Sequence, residues 1–527
     1  MRTAHRAAHR VDTVRSAERA LMARLPEGTL MARAAAGLAA ACAGLLGRRQ
    51  GGVYGARVVL LVGAGDNGGD ALFAGARLAR RGAGVTAVLL APDRAHAGGS
   101  AALRAAGGRF VTAAGAAGAS GDAASSSAGT AGASAEAVEA VDRADLALDG
   151  ITGLGGSGGL RPVAAELVAR LAARRVPVVA VDLPSGVEAD TGEVRGPAVR
   201  AALTVTFGTH KPGLLVDPAR EHAGEVRLVD IGLAPYLPDE PAVEALGDAR
   251  VAALLPVPGA ESDKYRRGVV GVAAGSARYP GAAVLAVGGA LRGGAGAVRY
   301  AGASAGAVIA RYPETLVSEG PPHQAGRVQA WVVGPGLSTE PAAAETVSEV
   351  LDAEVPVLVD ADGLRGLDPD RLRARPAPTV LTPHAGEAAA LLGTSRERVE
   401  SARLAAVREL AERYAATVLL KGSTTLIAAA GGAGPVRVNL TGTGWLATAG
   451  SGDVLAGLTG ALLATGLDPL DAATAGAHLH GLAGRLAPTP ATASTVCEAL
   501  ATAWDRLRRP LRAAAQGTTP GRPTPRR

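Results

Sequence analysis

Lysine and asparagine are nearly missing from this chain of 527 residues. It carries 54 basic side chains, yet only Lys211, Lys264 and Lys421 are lysines, and only Asn67 and Asn439 are asparagines. Positions that keep either type are therefore candidates for needing that chemistry. Aromatic residues make up 2%, so the cores must be packed with Ala, Val and Leu. The two cysteines, Cys42 and Cys497, are too few for a disulfide framework or a thiolate metal site, and a reducing, cytoplasmic setting is expected. The opening MRTAHRAAHR lacks the apolar run of a secretory signal, and no run of about 18 uninterrupted apolar residues suggests a membrane span. A basic partner surface is missing too. Residues 506–527 hold seven arginines and no acid, more than the whole formal charge of +6, which leaves residues 1–505 at −1. No nucleic acid partner is expected.

What is present is apolar, 48% of residues, enough for more than one buried core. Short continuous apolar runs at 56–65, 85–90, 146–149, 176–182 and 203–207 read as strands buried on both faces, with helices at 70–81 and 162–174 and helical material over 11–47. Pro-rich stretches at 234–241 and 256–259 punctuate the chain. The alternation then restarts at 269–275, 330–336, 355–362, 378–384 and 417–422, with closing helices at 450–465, 468–486 and 494–509. Two doubly wound α/β domains follow, each a three-layer αβα sandwich, with boundaries 1–240 and 241–512. Residues 112–135 are a low-complexity insertion, and 513–527 an Arg/Pro-rich tail expected to be disordered.

The first strand runs into Gly63-Ala64-Gly65-Asp66-Asn67-Gly68-Gly69-Asp70 and a helix. This is a G-x-G-x-x-G turn, where amides at a helix N-terminus can meet phosphate. Its acids and amide suit a cation or a sugar- and amide-bearing ligand better than a bare pyrophosphate. The next strand ends without the acid a dehydrogenase uses for ribose. Asp149 in DGITG and Asp182 in VDLPSG end two more strands, so Asn67, Asp149, Asp182 and Ser185 could converge on one crevice beyond the sheet. One strand-end acid would more often cap a helix; four such groups with glycine-rich partners point to a site.

In the second half, Gly450-Ser451-Gly452-Asp453 opens a helix: an anion hole of amides with an aspartate placed as general base. Lys421-Gly422-Ser423-Thr424-Thr425 offers a cation and hydroxyls. Thr382-Pro383-His384 with Glu387, Gly334-Pro335-Gly336 and Asp360-Ala361-Asp362-Gly363 end further strands.

These stretches make the chain resemble the bifunctional NAD(P)H-hydrate repair enzymes. GAGDNGGD, DGITGLGG, VDLPSG and TFGTHKPGLL are similar to their epimerase domain. KYRRGVVGVAAGSARYPGAAVLA, VVGPGL, VDADGL, LTPHAGE, LLKGSTTLI and AGSGDVLAG are similar to their dehydratase domain. The resemblance implies a Rossmann-like first domain and a ribokinase-like second. It implies that the hydrate is held by Asp66, Asn67, Gly68, Gly69, Asp70 and by Gly153, Leu154, Gly155, Gly156, Ser157, Gly158 and Gly159, with K+ on Asn67, Asp149 and Ser185. It implies a substrate contact from Asp182 near the epimerised carbon, where the chemistry of a carbinolamine suits a carboxylate that shuttles a proton. In the second domain it implies hydrate contacts from Ala283, Gly336, His384 and Asp453, with Asp453 at the reacting centre. It also implies that Lys421, Gly422, Ser423, Thr424, Thr425 and Gly452 hold ADP with Mg2+. The implied substrates are the hydrates of NADH and NADPH and ADP, in a homo-oligomer, with no membrane or nucleic acid partner. Departures are Asp66 where the family has Asn, Ala71 and Ala449 where Gly is common, and Asp263-Lys264-Tyr265 where many relatives have His-Lys-Gly.

Three other readings stay open from the residues alone: a vitamin- or sugar-type kinase, a nucleotide-binding scaffold with a dead first domain, and an NAD-dependent dehydrogenase. The kinase leaves the first domain unexplained.

Overall fold

The computed structural model describes residues 3–115, 132–156 and 158–515, with side chains through residue 509. The chain divides into two compact units, residues 7–242 and residues 243–527 with 1–6.

In the first unit, seven strands lie parallel: β1 (Arg57–Val62), β2 (Gly84–Leu89), β3 (Arg109–Thr112), β4 (Leu146–Gly150), β5 (Val178–Val181), β6 (Leu203–Phe207) and β7 (Glu225–Val229). Their order is β3-β2-β1-β4-β5-β6-β7, so the chain reverses its direction of travel between β1 and β4. The RVVLLV of β1 shows why a continuous apolar run is needed. Val58, Leu60 and Val62 pack into one core, and Val59 and Leu61 into another on the opposite face. Helices α1 (Val11–Met22), α2 (Thr29–Gln50), α3 (Asp66–Ala79) and α4 (Ala97–Ala105) contribute to the first core; α5 (Ala135–Asp142) and α6 (Pro162–Ala173) contribute to the second. The result is a three-layer αβα sandwich. The expected helical stretch over 11–47 is two helices, because Pro26 falls between them and cannot donate a backbone bond. On α1, Val11, Val14, Ala17 and Leu21 form one buried stripe.

The second unit's strands are β8 (Val243–Ala245), β9 (Val269–Ala273), β10 (Ala297–Ala301), β11 (Leu316–Ser318), β12 (Ala330–Val333), β13 (Val357–Val359), β14 (Thr379–Leu381), β15 (Thr417–Leu420), β16 (Thr425–Ala428) and β17 (Val436–Asn439). They run β8-β17-β16-β15-β14-β13-β12-β9-β10-β11. All neighbouring pairs are parallel except β15–β16 and β16–β17, which are antiparallel. One face carries α7 (Pro280–Arg292), α10 (Ser451–Ala464), α11 (Pro469–Leu486) and α12 (Ala493–Ala515) over a core of Val, Leu and Ala. With few aromatics, density comes from close backbone approach. A side chain on Gly457 of α10 would strike the Ala286 carbonyl of α7 at 1.9 Å, and one on Gly289 the Val454 carbonyl at 2.2 Å. Helices α8 (Ala385–Leu392) and α9 (Arg403–Tyr414) complete the layers.

Four sequence expectations change. Residues 1–6 belong to the second unit rather than the first, where Thr3 donates to the carboxylate of Asp248. The low-complexity segment is pinned at its ends by a bridge between Ala114 and Ala133, and Ser134 caps α5; residues 116–131 lie outside the described residues. Helix α12 continues to Ala515, past the expected boundary at 512, and 516–527 lie outside the described residues. Helix α2 is long and apolar enough to cross a membrane by length and composition, although no such stretch was expected; Leu38, Cys42 and Leu46 are buried in the first unit's core.

Candidate active sites

In the first unit the reversal of strand order opens a crevice at the carboxyl ends of β1 and β4. Gly65, with φ +103°, ends the turn after β1 and lets α3 begin at Asp66. Asp66 is exposed, Asn67 half-buried, and Gly68, Gly69 and Asp70 buried. The Asn67 amide donates to the carbonyls of Val181 (2.6 Å) and Thr152 (3.2 Å), which ties α3 to the ends of β4 and β5. Asp149 is fully buried. It accepts from the Ser185 amide (2.8 Å), the Ser185 hydroxyl (2.6 Å) and the Ile151 amide (3.3 Å), and no basic side chain pairs with it among the described residues. Burial pushes its carboxyl up to about 6. Ser185 Oγ also accepts from the Thr152 amide at 3.0 Å. The structure thus brings Asn67, Asp149 and Ser185 together.

Asp182 follows β5 with φ +64°, a backbone region a non-glycine residue enters at a cost. Its neighbours hold it there. Lys211 Nζ donates to Asp182 Oδ1, as do Thr206 Oγ1 (3.0 Å) and the Phe207 amide (3.2 Å). The Asp182 and Lys211 side chains are 5% and 1% exposed, so this is a buried ion pair. Asp70 is buried nearby, and its Oδ1 has no hydrogen-bond partner. Burial, with Asp182, Asp66 and Glu18 adding to it, raises its carboxyl well above the usual range. Glu18 of α1 is held up by burial, pulled down by Lys211 and pushed up by Asp182 and Asp66. The glycines of the 153–159 loop are half-buried or exposed, and the Gly158 amide donates to Glu188 (2.9 Å). Ser157 lies outside the described residues.

In the second unit, Gly450 has φ +85° and caps α10, a fourteen-residue helix whose positive dipole end lies at this turn. Asp453 stands in that first turn. Burial, reinforced by Asp360 and opposed by Lys421, pushes its carboxyl up to about 7. Lys421, at the end of β15, donates to Asp360 Oδ1 (2.7 Å) and lies 3.7 Å from Glu387. Burial works against its charge, but Asp360, Glu387 and Asp453 more than offset that and hold the ammonium above its usual value. His384 caps α8, accepting from the Gly386 (3.0 Å) and Glu387 (3.2 Å) amides, and its Nε2 lies 3.3 Å from Glu387. His384, Glu387, Lys421, Asp360, Gly452 and Asp453 therefore form one constellation. Behind it, burial holds His480 down at about 4, so it stays neutral.

The loop after Lys421 is fixed from below. Buried Arg403 donates to the carbonyls of Leu420 (3.3 Å), Lys421 (3.1 Å) and Thr424 (3.1 Å). Gly422 and Ser423 are exposed, Thr425 is half-buried and Thr424 buried. Gly336 is half-buried beside Tyr279 and Ala282. Ala283 departs from expectation: it is fully buried beneath Gly275 and presents no surface to a ligand.

Sequence reading of site residues left out Glu18, Lys211, Asp360, Glu387 and Arg403. Strand-end position flagged Asp360, and lysine scarcity flagged Lys211. Nothing in the pattern marked Glu18 or Arg403, whose placement depends on helix packing.

A family model described as NAD(P)H-hydrate dehydratase matches residues 270–505, and one described as YjeF-related protein N-terminus matches residues 27–213. The bifunctional NAD(P)H-hydrate repair enzyme Nnr of Mycobacterium tuberculosis is 50% identical over 465 residues, 88% of this chain and 90% of that one. Its Mycobacterium leprae counterpart is 48% identical over 478 residues, 90% and 93% of the two chains. The solved structure of the ADP/ATP-dependent NAD(P)H-hydrate dehydratase from Bacillus subtilis, co-crystallised with ATP and Mg2+, is 30% identical with a TM-score of 0.45, covering 49% of this chain and 97% of that one. Spanning both matched regions in the same order as relatives at half identity, this chain belongs to the family of bifunctional NAD(P)H-hydrate repair enzymes.

Proposed function

We propose that the first unit interconverts the R and S hydrates of NADH and NADPH, and that the second dehydrates the S hydrate at the expense of ADP, giving AMP and phosphate. The observation that carries the pairing is that each unit has its own buried acid–lysine constellation at the carboxyl ends of a parallel sheet. A lone kinase would leave the first of these without a task.

Hydration at C6 of the nicotinamide ring makes a carbinolamine. In the first unit, Asp182 takes the hydroxyl proton as the C6–N1 bond opens to a carbonyl, and N1 gains a proton. Closure on the other face of the carbonyl reverses each transfer and gives the other epimer. Asp149 fits a cation, being a buried carboxylate bonded to the Ser185 hydroxyl with no basic partner among the described residues. With K+ bound there by Asn67, Asp149 and Ser185, its charge would order the ends of β4 and β5. Asp66, Asn67, Gly68, Gly69 and Asp70 and the glycines of the 153–159 loop would hold the nucleotide.

In the second unit, Asp453 takes the proton of the C6 hydroxyl as its oxygen attacks the terminal phosphorus of ADP and AMP leaves. The amides of Gly452 and Asp453 and the Lys421 ammonium take up the phosphate charge. The phosphorylated C6 oxygen then departs as phosphate, helped by the N1 lone pair, and loss of a C5 proton restores the dihydronicotinamide. Mg2+ carried with the nucleotide phosphates would offset their charge. Lys421, Gly422, Ser423, Thr424 and Thr425 would hold the nucleotide, and Gly336 and His384 the hydrate. A cytoplasmic location fits this substrate.

The test is conversion of the separated R and S hydrates with ADP or ATP, followed by dihydronicotinamide absorbance. Recovery from both epimers supports the reading. No recovery with either nucleotide, alongside phosphorylation of a vitamin alcohol, would replace it with a small-molecule kinase.

A further inference from the structure

The first site has a charge problem. Glu18, Asp66, Asp70 and Asp182 surround the crevice, and Lys211, the cation among them, is already bonded to Asp182. A dinucleotide would bring two more negative charges at its pyrophosphate. Helix α1 supplies a cation. Arg15 is exposed; its charge acts on neighbouring Glu18, but no carboxylate lies within ion-pair distance of it among the described residues. Its guanidinium lies beside Gly155: a methyl group on that glycine would come within 2.9 Å of Arg15 Nη2. Glu18 stands three residues on, hence on the same face of α1, and it feels Lys211, Asp182 and Asp66. That face of α1 therefore borders the crevice. Residues 11–22 precede the stretch that the family model matches, which begins at residue 27.

We propose that Arg15 is the pyrophosphate anchor of the first site, a specificity-determining residue that favours phosphorylated hydrates over dephosphorylated ones. The planar guanidinium pairs well with phosphate oxygens, and Gly155 leaves it room. The proposal rests on the epimerase reading of the first unit.

Its test compares Arg15→Ala and Arg15→Lys with the unaltered full chain on two substrates: the NADH hydrate, and the corresponding hydrate of the reduced nicotinamide nucleoside, which has no phosphate. On the dinucleotide, Arg15→Ala is expected to raise KM for epimerisation about tenfold or more with kcat within about twofold, as for loss of a charge-assisted bond. Arg15→Lys should recover part of it. On the nucleoside hydrate the three proteins should have the same KM. An unchanged KM on the dinucleotide, or equal losses on both substrates, overturns the proposal; the second outcome would mean that Arg15 only shapes α1. If the unaltered chain interconverts neither hydrate, the epimerase reading itself fails and takes the proposal with it.

Discussion

Both units place an aspartate and a lysine at the carboxyl ends of a parallel sheet, and they wire them differently. In the first, Lys211 bonds directly to Asp182, the proposed acid/base, and both are buried. In the second, Lys421 bonds to Asp360, and Asp453 stands apart with its carboxyl at about 7. Direct pairing holds the reactive carboxylate in position. Pairing with a third group leaves the neighbouring carboxylate poised to gain or lose a proton near neutral pH, which suits a base that must act on a hydroxyl. The lysine that steadies the reactive acid in one unit is held in the other by a second acid, close to the Gly452 turn.

The largest effect should come from removing the poised base. Asp453→Asn is expected to lower dehydration about 10²- to 10⁴-fold, measured by dihydronicotinamide absorbance, with R–S interconversion unchanged. If both activities fell together, the units would not be independent. Breaking the first pair should act on stability as well as chemistry. Asp182→Ala leaves the Lys211 charge buried alone and should cost the first unit about 3–5 kcal/mol, read by denaturant unfolding. Asp182→Ala with Lys211→Met should regain much of that stability without regaining epimerisation. Asp360→Ala should be milder, because Lys421 keeps Glu387 at 3.7 Å. Acidity should separate the units too. Asp453 works deprotonated, so kcat/KM for dehydration should fall about tenfold per unit below pH 7 and level off above it. Epimerisation should not share that curve. The smallest effect is expected from the cation: exchanging K+ for tetramethylammonium should slow epimerisation and leave dehydration as it was.

Much of this was legible in the sequence. Continuous apolar runs gave the central strands, because strands buried on both faces cannot alternate in polarity; RVVLLV of β1 is the clearest case. Peripheral strands such as β3, β7 and β11 were not visible, since their half-buried residues carry no such run. The turn at 421–425 reads as the end of one strand and the start of the next, but the antiparallel pairing of β15 and β16 does not show in the pattern. Scarcity located three site residues, Asn67, Lys211 and Lys421. It misled on two: Lys264 is exposed beside Tyr265, and Asn439 ties its turn to the Ala477 carbonyl of α11 (2.9 Å). Glu18 and Arg15 could not be found from motifs, because only the packing of α1 brings them to the crevice.

The most direct test of the central claim, two separate chemistries on one hydrate, is a crossed assay of two variants on separated epimers with ADP. With Asp182→Asn, the S hydrate should be dehydrated at the unaltered rate while the R hydrate remains unconverted. With Asp453→Asn, the epimers should equilibrate and yield no dihydronicotinamide. Dehydration of the S hydrate lost in Asp182→Asn, or interconversion lost in Asp453→Asn, would contradict the account.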